Sequence, residues 1–252
     1  MPQAQVTILM PVFNGAATLG RAIGSILAQT YPHWKLLILE DGSNDNTITV
    51  AKSFKDNRIQ VVSDGKHSGI VARLNQGIEL ADSPYIARMD ADDVAYPERL
   101  AKQIAFLETN PAIDLVGCAI RVLDKAGEVK SDHFFPTAHA QIVARPWLKT
   151  LSVAHPTWCG RTAWFKKWRY QPYLRNEDQE LLFRAAAESQ YANLSEVLLD
   201  YYETPSFSKN LQARWGWIVV LWRHYAKKGH IRRFLAGVAV TKVKFFRSFF
   251  TN

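Results

Sequence analysis

Short runs of β-branched and aliphatic residues alternate with amphipathic stretches up to about Cys118. Four of the apolar runs are predicted to be buried strands of a mostly parallel sheet, namely Val6–Met10, Trp34–Glu40, Ile59–Ser63 and Tyr85–Met89. The stretches between them carry apolar residues at helical spacing, in Thr18–Gln29, Asn46–Phe54 and Ile70–Ala81. This alternation predicts a doubly wound α/β fold, in which ligands bind beyond the carboxyl ends of the strands.

The remainder of the chain is less regular. Four further elements are predicted: the helices Pro97–Glu108 and Asp178–Ser189, and the strands Ile113–Val122 and Glu196–Tyr202. The intervening segment Ser131–Tyr173 is rich in aromatic, basic and proline residues, and its pattern assigns no element to it. The predicted organisation is one domain over residues 1–205, followed by a helical extension over residues 206–252, called the tail below.

The net charge of +8 is concentrated in the tail. Ten of the 31 Lys and Arg residues follow Glu203 and no acidic residue does, so the preceding chain has 21 cations against 23 acids. An acidic partner is therefore expected at the tail. The hydrophobic content of 48% excludes a disordered chain. Two cysteines, Cys118 and Cys159, provide no disulfide framework and indicate a reducing compartment.

Polar loops follow the first two predicted strands. The first loop, Met10–Gly15, is compatible with an ordinary strand–helix turn, and it lacks the G-x-G-x-x-G pattern of a dinucleotide-dependent dehydrogenase. The second, Glu40–Ser43, places acidic side chains where they can accept hydrogen bonds from a base or a ribose. Helix capping by Ser43 or Asp45 explains the same residues without a ligand.

An acidic cluster follows the fourth predicted strand. Asp90, Asp92 and Asp93 place three carboxylates within four residues, where they repel one another unless a cation is bound. Carboxylate oxygens are suitable ligands for Mg²⁺ or Mn²⁺, and diphosphate oxygens would complete the coordination. A solvated acidic turn is the alternative. The position of the cluster directly after a buried strand favours a ligand site.

In this order, the motifs resemble those of family 2 of the inverting glycosyltransferases, which have the GT-A fold. The segments that carry the resemblance are Val6–Asn14, Ile38–Ser43, Arg73–Gly77, Asp90–Asp93 and Tyr96–Leu100. The resemblance extends from about residue 5 to residue 203. It implies a nucleotide-diphospho-sugar transferase fold with a mostly parallel central sheet flanked by helices, to which the tail is a helical extension.

The resemblance implies individual roles on the donor side. The residues implied to bind the nucleotide-sugar are Pro11, Val12, Phe13, Glu40, Asp41, Arg73, Asp90, Ala91 and Asp92. Among them, Asp41 would hydrogen-bond the base, usually uracil, and Arg73 would face the nucleotide or the diphosphate. A divalent cofactor, Mn²⁺ or Mg²⁺, is expected on Asp92 and Asp93, with the choice of direct ligand among the three acids left open.

The acceptor side requires a base, because the attacking hydroxyl must lose its proton. In the family this base is the Asp of a Glu-Asp pair at the start of a late helix, which implies Asp178 as the base and Glu177 as its neighbour. The general preference of acids for helix N-termini is the alternative. His155, in a His-Pro-Thr segment, is implied to contact the acceptor, although a lone histidine is more often structural.

The tail combines its ten cations with aromatic residues, including Trp215, Trp217, Trp222, Phe234, Phe245, Phe246, Phe249 and Phe250. Basic residues on one face and aromatic residues on another predict helices that lie in a membrane interface. A helix pair packed on the body, with a solvated basic face, is the alternative. Nucleic acid is not expected as a partner, because no nucleic-acid-binding motif accompanies the charges. The expected location is the cytoplasm, peripheral on the inner face of a bacterial cytoplasmic membrane.

The expected function is inverting transfer of a sugar from a nucleotide-diphosphate sugar to a hydroxyl of a glycan or lipid-linked glycan acceptor. Among the possible donors, a UDP-sugar is the one expected. Synthesis of a cell-surface polysaccharide is the expected context. Two alternatives remain open from the sequence. The acceptor is a polyprenyl phosphate in the first, and the protein is a non-catalytic membrane-associated scaffold in the second.

Overall fold

The computed structural model describes residues 5–172, 175–203 and 207–250, without the side chains of residues 207–210 and 242–250. The strands are β1 (Val6–Val12), β2 (Trp34–Glu40), β3 (Ile59–Val62), β4 (Tyr85–Arg88), β5 (Val94–Ala95), β6 (Leu115–Leu123), β7 (Val129–His133), β8 (Cys159–Arg161) and β9 (Tyr191–Tyr202). The α-helices are α1 (Leu19–Leu27), α2 (Thr47–Ser53), α3 (Ile70–Leu80), α4 (Arg99–Thr109), α5 (His139–Ile142), α6 (Thr162–Lys167), α7 (Glu177–Ala185), α8 (Phe207–Leu221) and α9 (Ile231–Phe250). Shorter helical turns cover His155–Thr157, Ala186–Glu188 and Trp222–Ala226.

One mixed sheet runs through the described part of the chain, in the order β3-β2-β1-β4-β8-β6-β9-β5, with β7 paired to β6. The strands β3, β2, β1 and β4 are parallel, as predicted. Beyond them, β8 pairs antiparallel with both β4 and β6, whereas β6 pairs parallel with β9. The parallel arrangement therefore holds in the first half of the sheet. Antiparallel pairing enters through β5, which pairs with β9, and through β7 and β8, which lie mostly in the segment that carried no clear pattern.

The central strands are buried on both faces, which explains their near-continuous apolar sequences. Successive side chains of a strand point to opposite faces. Accordingly, Ile8 and Met10 of β1 join the core cluster that contains the apolar residues of α1 and α4. Leu9 joins the cluster that contains those of α3, α6 and α7. The sheet is thus a middle layer that holds the loops at its carboxyl edge in fixed positions.

Gly77 allows α3 to lie close against this sheet. A Cβ at this position would lie 2.7 Å from Cδ1 of Leu39 and 2.8 Å from Cδ2 of Leu9. A larger residue would force α3 away from the sheet, since the core is close-packed. The close approach fixes the position of Arg73, one helical turn earlier on α3.

The carboxyl-terminal helices pack on the body through an apolar cluster of their own. Its members are Trp217, Val220, Leu221 and Tyr225, with Trp147, Phe183 and Phe234 packed against them. Of the predicted tail cations and aromatic residues, the side chains of Lys209, Lys242, Lys244, Phe245, Phe246, Arg247, Phe249 and Phe250 lie outside the described residues, as does Tyr173 of the preceding domain. Among the helices that the structure describes, none combines the length and the apolar character needed to cross a bilayer.

Candidate active site

The register of the parallel strands brings the first two polar loops together. Val12, at the end of β1, is paired with Glu40, at the end of β2. The backbone N–H of Asp41 donates to the carbonyl of Val12 at 2.9 Å, so the two loops leave the sheet side by side. The sequence motifs that were predicted to surround a nucleotide therefore meet at one edge of the sheet.

Asp41 is the centre of a polar network at this edge. Its Oδ1 accepts hydrogen bonds from Nε of Arg73 at 2.9 Å and from the N–H of Ser68 at 2.8 Å, and its Oδ2 accepts one from Gly69 at 3.0 Å. Nδ1 of His67 lies 2.9 Å from the same Oδ2. Because both oxygens of Asp41 are engaged, the network fixes the carboxylate and the loop before α3 in one arrangement.

Glu40 is fully buried and supports the turn. Its carboxylate accepts hydrogen bonds from the N–H of Ser43 and, at 2.6 Å, from the hydroxyl of Ser63. Burial raises the pKa of Glu40, but these hydrogen bonds outweigh the effect and leave the pKa below its usual value. The contacts of Glu40 are thus those of a structural carboxylate that holds the loops after β2 and β3.

A cavity of about 710 Å³ lies against this network. The predicted donor residues that line it are Pro11, Val12, Phe13, Asp41, Arg73 and Asp90. The ring of Phe13 lies over the ring of His67 with 4.2 Å between centroids, at the cavity wall. His67 was not singled out from the sequence, because its position depends on the path of the loop between β3 and α3. An aromatic pair beside hydrogen-bonding groups is a suitable surface for a nucleotide base.

Two buried arginines support the acidic cluster, one directly and the other through the first. Both oxygens of Asp90 accept hydrogen bonds from the guanidinium of Arg88, at 2.6 and 2.5 Å. Arg99 in turn donates to the backbone carbonyl of Arg88 at 2.7 Å. Arg88 and Arg99 are 3% and 1% exposed. A buried bidentate pair of this kind fixes the orientation of the carboxylate.

Asp90, Asp92 and Asp93 offer oxygen atoms that all lie within 4.8 Å of one another. Asp93 is fully buried; its Oδ1 accepts a hydrogen bond from the backbone N–H of Tyr202, and its Oδ2 has no hydrogen-bond partner among the described residues. Burial, together with the nearby Asp90 and Asp92, raises the pKa of Asp93 well above its usual value. A buried oxygen without a partner, beside two other carboxylates, fits a divalent cation of the hard, oxygen-preferring type.

A second cavity, of about 510 Å³, joins the acidic cluster to the predicted acceptor side. The predicted site residues that line it are Asp90, Asp92, His155, Glu177 and Asp178. Asp90 lines both this cavity and the one beside Asp41. Asp90 and Asp178 are far apart in the sequence, and they line one cavity in a fold whose two half-sheets are joined through β8.

The helix α7 begins at the acidic pair. Asn176 precedes it with a φ of 63°, a left-handed conformation, and Glu177 and Asp178 are half-buried at the first turn. Burial and the neighbouring Asp178 raise the pKa of Glu177 to about 7. Burial also raises the pKa of Asp178. A carboxylate pair with raised pKa values beside a cavity is well matched to proton removal near neutral pH.

His155 lines the same cavity, but its ring is already engaged. Its Nε2 is hydrogen-bonded to the hydroxyl of Tyr170 at 2.7 Å, and Trp158 contacts the ring edge-to-face with 4.6 Å between centroids. Burial, with a further contribution from Arg88, lowers the pKa of His155 well below its usual value. The imidazole is therefore neutral and held in one orientation.

Several cavity residues have no signature in the sequence. Arg175, Tyr201, Tyr202 and Ala213 line the second cavity. Ala213 belongs to α8, so the tail contributes part of the wall. Its carbonyl also accepts a hydrogen bond from the side chain of Asn176 at 2.5 Å. The division of the chain at residue 205 thus runs through the wall of this cavity.

Comparisons with known proteins agree with this geometry. The sequence profile described as Glycosyl transferase family 2 matches residues 7–169. The chain is 36% identical over 126 residues to EpsE, a provisionally named glycosyltransferase of Bacillus subtilis (strain 168). That alignment covers 49% of this chain and 45% of EpsE, so the chain spans less than half the length of this relative.

Two solved structures share the fold. TarS 1–349 of S. aureus, in complex with UDP-GlcNAc, matches with a TM-score of 0.69 and 16% identity, covering 96% of this chain and 73% of that chain. The mannosyltransferase PcManGT from Pyrobaculum calidifontis, in complex with GDP-Man and Mn²⁺, matches with a TM-score of 0.65 and 16% identity, covering 99% and 76%. The predicted GT-A fold is confirmed by these likenesses. Since the family profile matches well over half of the chain, the chain belongs to glycosyl transferase family 2.

Proposed function

We propose that the protein transfers a sugar, with inversion, from a nucleotide-diphosphate sugar to a hydroxyl of a glycan or lipid-linked glycan acceptor. The proposed donor is a UDP-sugar. The proposed context is synthesis of a bacterial cell-surface polysaccharide. The observation that carries the proposal is the cavity shared by Asp90, Asp92, Glu177 and Asp178. In this cavity, the acids proposed to serve the donor lie beside the acids proposed to serve the acceptor, which supports the proposal.

On the donor side, the base would lie in the cavity beside Asp41, against Phe13. The carboxylate of Asp41 and the guanidinium of Arg73 are buried and hydrogen-bonded to each other, so they form a rigid wall. Binding groups that are already held in place cost little ordering entropy when the ligand arrives. Asp90, which lines both cavities, would then lie near the ribose and the diphosphate. The UDP-GlcNAc held by TarS and the GDP-Man held by PcManGT support this donor class.

The proposed metal ligands are Asp92 and Asp93, since Arg88 already neutralises Asp90. The unpartnered Oδ2 of Asp93 supports the assignment. A bound Mn²⁺ or Mg²⁺ would supply positive charge to the departing diphosphate. The Mn²⁺ in the PcManGT complex supports this class of ion.

On the acceptor side, Asp178 takes the proton of the attacking hydroxyl. The oxygen of that hydroxyl forms a bond to the anomeric carbon while the bond from this carbon to the diphosphate oxygen breaks on the opposite side. The nucleoside diphosphate leaves with the electron pair, and the configuration at the carbon is inverted. Glu177, beside Asp178 on the first turn of α7, would contact the acceptor, and burial raises the pKa of both acids. His155, which is neutral, would contribute to the acceptor wall.

The first experiment is calorimetric titration of UDP and GDP into the protein, with and without Mn²⁺. We expect UDP to bind in a metal-dependent manner, Asp92→Asn to lose this binding, and Asp178→Asn to retain it. Asp82→Asn is the matched control, because Asp82 is an exposed acid 3.9 Å from Lys35 and outside both cavities. Failure of any nucleotide to bind under all metal conditions would reject the donor site and favour a scaffold. Product analysis with glycan and polyprenyl phosphate acceptors then separates the two acceptor classes.

A further inference from the structure

The helix α8 is apolar on the face that points away from the body. Its inner face packs through Trp217, Val220 and Leu221, which are buried. The opposite face carries Leu211, Trp215 and Val219, and Trp222 of the helical turn after α8 continues it at helical spacing; these residues are 38%, 62%, 39% and 45% exposed. A helix at a water-facing surface normally presents polar residues there, whereas apolar residues all round are typical of a helix covered on both sides.

The next helix repeats the arrangement. Gly237 and Thr241 of α9 are buried, and a Cβ on Gly237 would lie 2.4 Å from the carbonyl of Trp147, so this face is pressed against the body. Ile231 and Leu235, one turn apart on the other face, are 52% and 58% exposed. The two helices therefore present outward apolar stripes, which we call the outer stripe and define by Leu211, Trp215, Val219, Trp222, Ile231 and Leu235.

Exposed cations neighbour the outer stripe in the sequence. They are Arg223, Lys227, Lys228 and Arg232, whereas Arg233 lies over the ring of Trp147. Nζ of Lys227 lies 4.7 Å from the ring centroid of Trp222, so positive charge and aromatic surface share one location. No acidic residue follows Glu203 in the sequence. A partner that covers this surface must therefore offer apolar area and negative charge together, which an anionic bilayer does.

We propose that the outer stripe inserts into the interfacial layer of an anionic lipid bilayer, with the neighbouring cations on the phospholipid headgroups. The helices lie in the plane of the membrane. The proposal goes beyond glycosyl transfer, and lipid binding is measured without donor or acceptor, so its failure leaves the proposed reaction untouched.

The same helix connects this surface to the catalytic cavity. Ala213 of α8 lines the cavity and accepts a hydrogen bond from Asn176, the residue before Glu177. Trp215, two positions further along, belongs to the outer stripe. Docking through the outer stripe would thus hold the acceptor side of the cavity within one helix diameter of the headgroups.

Vesicle flotation of the full chain tests the proposal. Vesicles of phosphatidylcholine alone are compared with vesicles of equal parts phosphatidylcholine and phosphatidylglycerol. We expect flotation with the anionic vesicles only, and at least about tenfold weaker partitioning for the double variant Trp215→Ser/Leu235→Ser, because two large apolar groups no longer enter the interface. The double variant Val129→Ser/Phe134→Ser is the matched control, since those residues are 59% and 67% exposed outside the tail. Equal flotation of the stripe variant and the wild type would overturn the proposal.

The charges are tested separately with Lys228→Glu/Arg232→Glu. We expect about tenfold or greater loss of binding to anionic vesicles, since each basic residue near such a surface contributes about fivefold. UDP titration and thermal unfolding show whether each variant is folded. Sedimentation without lipid tests the other possible partner of the outer stripe, a second copy of the chain. If the wild type forms a dimer that is lost in the stripe variant, and if the wild type does not float with vesicles, the membrane proposal is wrong and the outer stripe is a dimer interface.

Discussion

The guanidinium of Arg88 donates to both carboxylate oxygens of Asp90, at 2.6 and 2.5 Å, from a position that is almost fully buried. This pairing sets the orientation of the first acid of the cluster before any ligand binds. It also cancels the charge of one of three neighbouring carboxylates, which lowers the repulsion among them.

The first prediction is that Arg88→Lys keeps the charge but loses the two parallel hydrogen bonds. We expect kcat/KM to fall about 100-fold, because the donor-side acid is no longer held in place. The control is Arg121→Lys, which removes a similar paired arrangement with Asp132 at 2.8 and 3.0 Å on the exposed side of β6 and β7. Steady-state kinetics should show a much smaller change for the control. A similar loss in both variants would mean that the orientation of Asp90 has no special role.

The second prediction concerns the aromatic surface of the donor cavity. Phe13 is 45% exposed and contacts His67, so Phe13→Ala removes the surface on which a base would stack and leaves the core unchanged. We expect the Kd for UDP to rise about tenfold, in line with about 1–3 kcal/mol for a base stacked on an aromatic ring. Calorimetry measures the Kd, and Phe134→Ala serves as an exposed aromatic control. Unchanged UDP binding would place the base elsewhere.

The third prediction is a pH effect on the acid pair of α7. Proton removal from the acceptor needs an ionised carboxylate. Activity should therefore be low at acidic pH and rise as the pH increases through the pKa of the acid pair, which is about 7 for Glu177. In Glu177→Gln the partner that titrates near neutral pH is gone, and the acid limb should move to lower pH. The pH dependence of kcat/KM for the two proteins checks this shift. An acid limb at the same pH in both would remove Glu177 from the titrating pair.

The fourth prediction concerns the buried Asp93 in metal-free protein. Its pKa is raised in the folded state, so its protonated form stabilises the fold below the usual carboxyl pKa, and this stability is lost as the pH rises through the raised pKa. Asp93→Asn removes the acid with little change of shape. In EDTA at high pH we expect the variant to be more stable by about 1–2 kcal/mol, with no gain at low pH, and to have lost Mn²⁺-dependent UDP binding.

Thermal unfolding at the two pH values, followed by calorimetry with Mn²⁺, measures both effects. A variant that binds UDP and Mn²⁺ like the wild type would show that Asp93 has no part in holding the ion. Asp82→Asn, at an exposed acid, should change neither quantity.

The fifth prediction links α8 to the acid pair. A Cβ on Gly216 would lie 2.6 Å from the carbonyl oxygen of Arg175 and 2.8 Å from Nδ2 of Asn176. Gly216→Ala should therefore displace the segment before Glu177, and we expect kcat to fall at least about tenfold with the UDP Kd unchanged. Gly24→Ala is the control, because a Cβ on Gly24 of α1 would meet no atom of the described residues within 4 Å. Equal kcat in both variants would separate α8 from catalysis.

The strands and motif positions were predictable because they depend on local sequence. Buried runs such as Trp34–Glu40 and the acids after β4 have signatures that do not require knowledge of the rest of the chain. The roles of His67 and Arg88 were not predictable. His67 reaches the site through a loop with glycines at φ of 72° and 85°, and the part played by Arg88 depends on side-chain geometry inside the core.

The secondary structure of the region from Ser131 to Tyr173 could not be predicted, for a different physical reason. It contributes most of β7 together with β8, α5 and α6, of which β8 has three residues and α5 has four. Elements this short contain too few repeats of the two-residue strand period or the 3.6-residue helical period for a pattern to be recognised, and they form because long-range partners pair with them. β8, for example, is fixed between β4 and β6. The common cavity lined by Asp90 and Asp178 likewise depends on long-range packing that no local pattern reveals.

The origin of the wall residues has a consequence for how such a protein can change. Except for Pro172, the cavity beside Asp41 is built from the first 90 residues, whereas the predicted acceptor-side residues of the second cavity come from residues 155 to 178. In the proposed function, the donor and acceptor specificities are therefore encoded in largely separate stretches of the gene. Under that assignment, we expect mutation or recombination after about residue 130 to change the acceptor while the donor stays the same.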